Sequence, residues 1–308
     1  MKVLVTGGLG FIGSNIVERL VADGHEVTIL DNLNTGNEAN VASIKDKVEI
    51  VKSDAGKIGE MGKDFDVILH QGIYSSSPMY KDNRHLTSTV IDEMISVLEY
   101  ARENGSRIVF ASSSSLYNQN DPPHHEDMAI KVTDFYTEGR YGMERLAELY
   151  HKLYGVRCIA LRYFSVYGPH EKYKGKYANL ITQFLWAMKK DEKIVVFGDG
   201  NQTRDFIYVD DVVEANILAM NSQLDYGVFN VGTGNSVSIN EMIGMLGKKL
   251  GKEPQVEYVE NTIKNYVMHT RADLSHVSAK LGFEPKFGLS KGMDALVKYY
   301  QENPSEMP

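Results

Sequence analysis

The 308-residue chain carries a single cysteine, Cys158, so no intrachain disulfide can form and a reducing compartment is the natural setting. That thiol lies inside the apolar stretch VRCIALRYF and reads as buried and inert. No apolar run approaches the ~18 residues that a membrane span requires. A strand-like KVLVTG begins at Lys2 and leaves no room for a signal peptide. The expected setting is therefore the cytoplasm, without membrane contact. Positive charge is not in excess either: the formal net charge is -8 and the pI about 5.6, which excludes a general binder of nucleic acid or anionic lipid. Local basic sites for one anionic ligand stay open. The chain also lacks internal repeats, long low-complexity tracts and a proline-rich linker, so its two halves are expected to pack closely.

With 43% hydrophobic and 24% charged residues, the length suffices for one large α/β domain or two domains with cores of their own. KVLVTG, EVTILD, VEIVKSD, FDVILHQG and SRIVFASS are short β-branched runs ending in small or polar residues. Helix-period segments at 13–22, 87–103 and 135–154 separate them, and alternation of this kind implies a doubly wound parallel sheet. GVRCIALRYFSVYGP supplies a sixth strand, whose near-continuous apolar character suits a sheet covered on both faces. After about Pro169 the texture changes to a mixture of helices and short strands. The expected organisation is a first domain over 1–168, joined by a returning segment near 205–232, and a smaller C-terminal α/β substrate domain over 169–308.

VTGGLGFIGSNIVERL places Gly7, Gly10 and Gly13 between the first strand and a helix beginning near Phe11. Glycine is required where a chain turns tightly, where backbone approaches a pyrophosphate and where helix packs on strand, and the helix N-terminus offers free N–H donors and a positive dipole. Asp31 ends the second strand, 18 residues after Gly13. A carboxylate there accepts from both ribose hydroxyls of an adenosine and repels a 2′-phosphate, so NAD is preferred over NADP. A glycine-rich turn beside a solvated aspartate is the bland alternative.

The spacing GGLGFIG resembles that of the extended short-chain dehydrogenase/reductase family of nucleotide-sugar epimerases and dehydratases, with a Rossmann-type first domain, and the resemblance covers nearly the whole chain. It implies that Phe11 and Ile12 follow the phosphate turn, that Asp31 and Asn32 bind the adenosine ribose, and that Asp54, with Ala55, meets the adenine. HQGI (70–73) is similar to a segment that passes along the cofactor, bringing in Gln71 and Gly72.

In that family, serines at a strand tip face a tyrosine that opens a Y-x-x-x-K helix motif. Moving hydride between a sugar carbon and nicotinamide requires removal or return of a hydroxyl proton, which a tyrosinate achieves if a cation lowers its pKa. FASSSSLYNQN (110–120) supplies the serines. Counting back from Leu116, which stands at the family's valine position, selects Ser113. RYGMERLAELYHKLYGV places Tyr141 at the tyrosine position, with Arg145 in place of lysine one helical turn on. The guanidinium keeps the charge and can donate to nicotinamide ribose hydroxyls, but its planar fork is shaped differently from an ammonium. A decorated helix surface is the competing reading of Tyr141 and Arg145. Tyr136 and Arg140 offer a second Y-x-x-x-R, but the following LAE matches the family pattern only in the Tyr141 register. Ser114 and Ser115 stand where dehydratases and decarboxylases carry acids. Without an acid, elimination lacks its proton donor, whereas 4-epimerisation needs none.

LRYFSVYGP resembles a turn beneath the sugar diphosphate, with Ser165 in place of the usual asparagine. By the same resemblance Asn179, Leu180, Val195 and Phe197 hold the nucleotide and Arg204 grips the diphosphate, with Lys264 a candidate second cation. HTRADLSHVSAKLGFEP aligns Thr270 with the position whose size limits the sugar's C2 substituent, so a UDP-N-acetylhexosamine as well as UDP-glucose or UDP-galactose is admitted. SSSPMY (75–80) places Ser76 or Ser77 at the sugar, against a solvated turn. HHED (124–127) is not read as a metal site, because four adjacent ligands rarely share one face, and Met242 and Met245 have the helical spacing of core residues. The expectation is a UDP-sugar 4-epimerase, an isomerase with tightly held NAD and a homodimer through helices 87–103 and 135–154. The rivals are another nucleotide-sugar oxidoreductase or UDP-glucuronate 4-epimerase of the family, and a non-catalytic NAD-sensing protein.

Overall fold

The computed structural model describes residues 1–62 and 64–308. Six strands form in the first half: β1 (Lys2–Thr6), β2 (Glu26–Asp31), β3 (Val48–Lys52), β4 (Val67–His70), β5 (Arg107–Ser113) and β6 (Cys158–Tyr163). β4, β5 and β6 are buried along their whole length, as expected for parallel strands covered by helices on both faces. β7 (Ser165–Tyr167) pairs with β10 (Phe206–Tyr208), β8 (Ile194–Phe197) with β13 (Val256–Val259), and β9 (Thr203–Arg204) with β12 (Val237–Ser238). β11 (Tyr226–Val231) returns to the main sheet, whose order is β11-β6-β5-β4-β1-β2-β3 with every neighbouring pair parallel. The long apolar run expected to form one sixth strand is two: β6 stays in the sheet, and after Phe164 the chain leaves it for β10.

The order reverses between β1 and β4, which stay paired to their C-terminal ends at Thr6 and His70, and the crevice of such a sheet lies just beyond those ends. Helices α1 (Phe11–Ala22), α2 (Ser77–Asp82), α3 (Leu86–Asn104) and α4 (Phe135–Tyr154) follow in the first half, and α5 (Leu180–Lys189), α6 (Val209–Asn221), α7 (Ile239–Leu250), α8 (Ser275–Leu281) and α9 (Leu289–Glu302) in the second. One apolar core fills both faces of the main sheet. A second, built around Tyr167, Leu185, Trp186, Leu246 and Leu296, joins α5, α7 and α9. Met242 is buried in that second core and Met245 packs against it.

The start of α4 is set locally. The Asp134 carboxylate accepts from Thr137 N–H at 2.8 Å while Thr137 Oγ1 accepts from Asp134 N–H at 3.1 Å, a reciprocal cap that satisfies two otherwise orphaned donors. Gly155, at φ +70, closes the helix. With both ends pinned, the face that each residue of α4 presents is decided.

Candidate active site

A cavity of about 310 Å³ opens at the reversal point of the sheet, lined by the turn after β1, the ends of β2 and β5, the segment after β4, the first turns of α4 and the segment after β6. Its floor is the glycine turn. Gly7 has φ +66, and a Cβ there would stand 2.5 Å from Gly72 Cα; one at Gly13 would stand 2.1 Å from the Gly7 carbonyl oxygen. Neither position admits a side chain. Gly10 precedes α1 with no side-chain cap and no acidic residue in the first turn, so the first N–H groups of the helix face the cavity with their dipole uncompensated.

Asp31 is 5% exposed. Its Oδ2 accepts from Leu9 N–H at 2.9 Å and its Oδ1 from Leu33 N–H at 2.7 Å. Burial raises its pKa from the ordinary carboxylate value, and the two N–H donors work against that rise. A Cβ on Gly36 would meet Asp31 Oδ1 at 2.6 Å, so backbone and carboxylate together form a narrow slot. Asn32 lines the cavity and donates through Nδ2 to Asp54 Oδ1 at 2.9 Å; Ala55 lines it, whereas Asp54 does not. Gly72 and Gln71 line it as well, the latter held by Tyr163 and Asn216. A bare helix N-terminus, a chain path free of Cβ atoms and a buried acid at the next strand end fit the pyrophosphate and ribose of a dinucleotide.

At the opposite end Ser113, 7% exposed, sits at the tip of β5, its Oγ accepting from Ser115 N–H at 3.1 Å. Ser114, Ser115 and Ser165 line the cavity beside it. The tyrosine and arginine that complete this wall are Tyr136 and Arg140, not Tyr141 and Arg145. The correction follows from helix geometry: residues 136 and 140 share the buried face with Met143, Glu144 and Ala147, while 141 lies about 140° further round. Arg145 lies 5.8 Å from the Tyr141 ring centroid and lines a shallow surface depression with Ile91, Leu146 and Leu149. The LAE match does not mark one face of the helix: Ala147 is buried and Leu146 packs against the core, while Glu148 pairs with Lys152 at the surface. The usable signal was Glu144, four residues after Arg140. It is buried and forms a two-point ion pair with Arg162 at 2.9 and 2.7 Å, and it also accepts from Ser112 Oγ.

Arg140 is 4% exposed. It donates through Nη1 to the Ala111 carbonyl at 2.7 Å and through Nη2 to the Tyr74 carbonyl at 3.0 Å, with its guanidinium 5.1 Å from the Tyr136 ring centroid. His70 lies nearby, fully buried, with Nδ1 2.7 Å from Thr6 Oγ1 and no hydrogen-bond partner for Nε2 among the described residues. Burial, with the Arg140 charge adding to it, pushes its pKa down to about 3.

The residues expected at the nucleotide are not gathered into this cavity. Asn179 caps α5 through Oδ1 and donates its N–H to Glu171 at 2.8 Å; Leu180 opens that helix. Val195 and Phe197 face outward from β8, 46% and 42% exposed. Arg204 donates to the Thr203 and Met268 carbonyls and stacks 5.3 Å over Tyr266. Thr270 is buried, its Oγ1 accepting from Asp205 N–H, and Lys264 is exposed. Ser76 stands at the N-cap of α2 and Ser77 donates to Asp134; Ser75, one residue earlier, reaches the cavity. In HHED, His124 is buried, stacked on Tyr117, with both ring nitrogens beside backbone carbonyl oxygens. Burial raises the pKa of the Cys158 thiol. No described helix is long and apolar enough to cross a membrane.

Fold and site together define an α/β protein of the dinucleotide-binding class, with Ser113, Tyr136 and Arg140 lining one crevice. Comparison with known proteins narrows the class. Residues 3–232 match the model of the NAD dependent epimerase/dehydratase family, and the chain belongs to that family. It is 35% identical to a putative UDP-glucose 4-epimerase of Methanocaldococcus jannaschii, over 98% of this chain and 99% of that protein. It is 32% identical to a UDP-glucuronate 4-epimerase of Thermodesulfobacterium geofontis, over 97% and 96%. Among solved structures, a UDP-N-acetylglucosamine 4-epimerase from Methanobrevibacter ruminantium M1, in complex with UDP-N-acetylmuramic acid, superposes with a TM-score of 0.92 at 31% identity, covering 98% of each chain.

Proposed function

We propose that the protein is a UDP-sugar 4-epimerase that inverts C4 of a UDP-hexose through a transient 4-keto sugar, using bound NAD. The observation that carries this reading is that Tyr136, Ser113 and the phosphate turn at residues 10–13 line one cavity. Residues 10–13 would hold the pyrophosphate, Asp31 the adenosine ribose, and Asn32 and Ala55 the adenosine end. When bound, NAD supplies the acceptor, and then the donor, of the hydrogen at C4. Tyr136 takes the proton of the 4-hydroxyl and later returns it, Ser113 Oγ orients the reacting oxygen, and the Arg140 guanidinium keeps a positive charge 5.1 Å from the Tyr136 ring centroid. Among the described residues that line the cavity Asp31 is the one carboxylate, and it lies at the adenosine end. Elimination or decarboxylation would require an acid near the serines, so the absence of one there favours epimerisation.

A second reading, UDP-glucuronate as the substrate, is supported by the sugar end itself, where Ser113, Ser114, Ser115 and Ser165 offer hydroxyl donors and no carboxylate that would repel a uronate. Incubating the protein with UDP-glucose, UDP-N-acetylglucosamine and UDP-glucuronate, and following C4 inversion by proton NMR, tests both. Inversion of one sugar without added cofactor is expected; no product from any of them in NAD-loaded protein sinks the proposal. We further propose a homodimer through α3 and α4, because Phe135, Leu149, Leu153 and Tyr154 are exposed by 47 to 61% along α4. A cytoplasmic setting suits the lone buried thiol.

A further inference from the structure

Two cations line the cavity among the described residues, Arg140 and Lys174. Arg140 is committed to the Ala111 and Tyr74 carbonyls. Lys174 is not used in this way. It belongs to the short 3-10 segment Lys172–Tyr177, with a side chain 16% exposed and its ammonium 5.0 Å from the centroid of the Phe11 ring. Phe11 is the first residue of α1, so this charge stands beside the phosphate turn, while Ser165 and Val166 line the same cavity.

What holds the ammonium there is a carboxylate with other duties. Glu171 is fully buried; it accepts from Asn179 N–H at 2.8 Å and from the Thr182 hydroxyl. Its approach to Lys174 Nζ is 3.5 Å, long for a charge-assisted hydrogen bond. With Glu171 on one side and the Phe11 ring on another, the ammonium keeps donor capacity toward the cavity it lines. An epimerase of this kind must hold two diphosphates in one crevice, that of the dinucleotide and that of the nucleotide sugar, and their mutual repulsion in a partly desolvated space needs a neutralising charge.

We infer that Lys174 is a diphosphate-binding cation of this site, placed between the helix N-terminus that receives the dinucleotide and the Ser165 turn, and held in place by Glu171. The inference rests on the epimerase reading and adds to it a residue for which the glycine turn gives no hint. Lys174→Gln removes the charge at similar length, Lys174→Met keeps the stem if the first variant folds poorly, and Lys174→Arg restores the charge.

Two arms identify the diphosphate: NAD retained after gel filtration at low and high salt, and calorimetric titration of NAD-loaded protein with UDP against uridine. Loss of one charge-assisted contact is expected to weaken NAD retention, UDP binding or both by roughly tenfold or more. Uridine binding should be unchanged, the salt dependence smaller and the arginine variant largely restored. NAD retention and UDP affinity both within about twofold of wild type in the glutamine and methionine variants would overturn the inference. A wild-type protein that binds neither ligand would overturn the epimerase reading as well, so the two failures are told apart in the wild-type arm.

Discussion

Replacing Tyr136 with phenylalanine removes one oxygen from the cavity wall and little else. The ring is 7% exposed, packs edge-on against Tyr80 at 5.4 Å and lies 5.1 Å from the Arg140 guanidinium, and phenylalanine keeps both contacts. Stability and nucleotide affinity should therefore hold, while the proton carrier is lost. General acid–base transfer typically contributes 10²–10⁴-fold to the rate, about 3–5 kcal/mol of barrier, and a drop of that order in kcat with KM nearly unchanged is expected. Tyr141→Phe is the control: five residues on and about 140° round the helix, outside the cavity lining, it should leave kcat within about threefold. A coupled or NMR assay of C4 inversion, with thermal melts of both variants, measures the contrast. Tyr136→Phe retaining more than about a tenth of the turnover, or Tyr141→Phe proving the inactive one, would refute the register argued from the buried face of α4.

Glu144→Gln keeps the volume but leaves Arg162, 3% exposed, with an uncompensated charge, so unfolding free energy should fall by about 3–5 kcal/mol; a urea titration losing less than about 1 kcal/mol would show that the pair is not structurally important. His70 resists protonation until about pH 3, whereas in the unfolded chain it takes a proton near pH 6.5. Its depressed folded pKa means that its share of stability is present above pH 6.5 and is lost as pH falls toward 3. At pH 5 this amounts to about 2 kcal/mol, and His70→Asn should flatten that part of the pH profile of urea midpoints; an unchanged slope would contradict it. Leu149→Glu with Leu153→Glu should yield a monomer by light scattering, and a persistent dimer would move the interface elsewhere.

The phosphate turn was legible because its requirement is local: Gly7, Gly13 and Asp31 are dictated by backbone conformation and close approach, which a short string of residues expresses. The end of β5 was legible for the same reason, and Ser113, the residue chosen by counting from Leu116, closes that strand and lines the cavity. The register of α4 was not, because Arg140 and Glu144 are charged residues on the buried face, and charge normally marks the solvent side. Only the pairing of Glu144 with Arg162, 18 residues on, reveals which face is inside. Lys174 lies in a 3-10 segment without periodicity, so nothing in its neighbours announces that it reaches the cavity. Val195 and Phe197 face outward from β8 and Arg204 is tied to the Thr203 and Met268 carbonyls, an outcome of tertiary packing that a linear motif does not encode.

Arg140 stands four residues after Tyr136, at the lysine position of a Y-x-x-x-K motif read in that register, and two of its nitrogens are bonded to main-chain oxygens of β5 and of the segment after β4. A guanidinium does not give up its proton in water at any pH a protein survives. The positive charge 5.1 Å from the Tyr136 ring centroid would thus persist into basic solution, where an amine begins to lose its own.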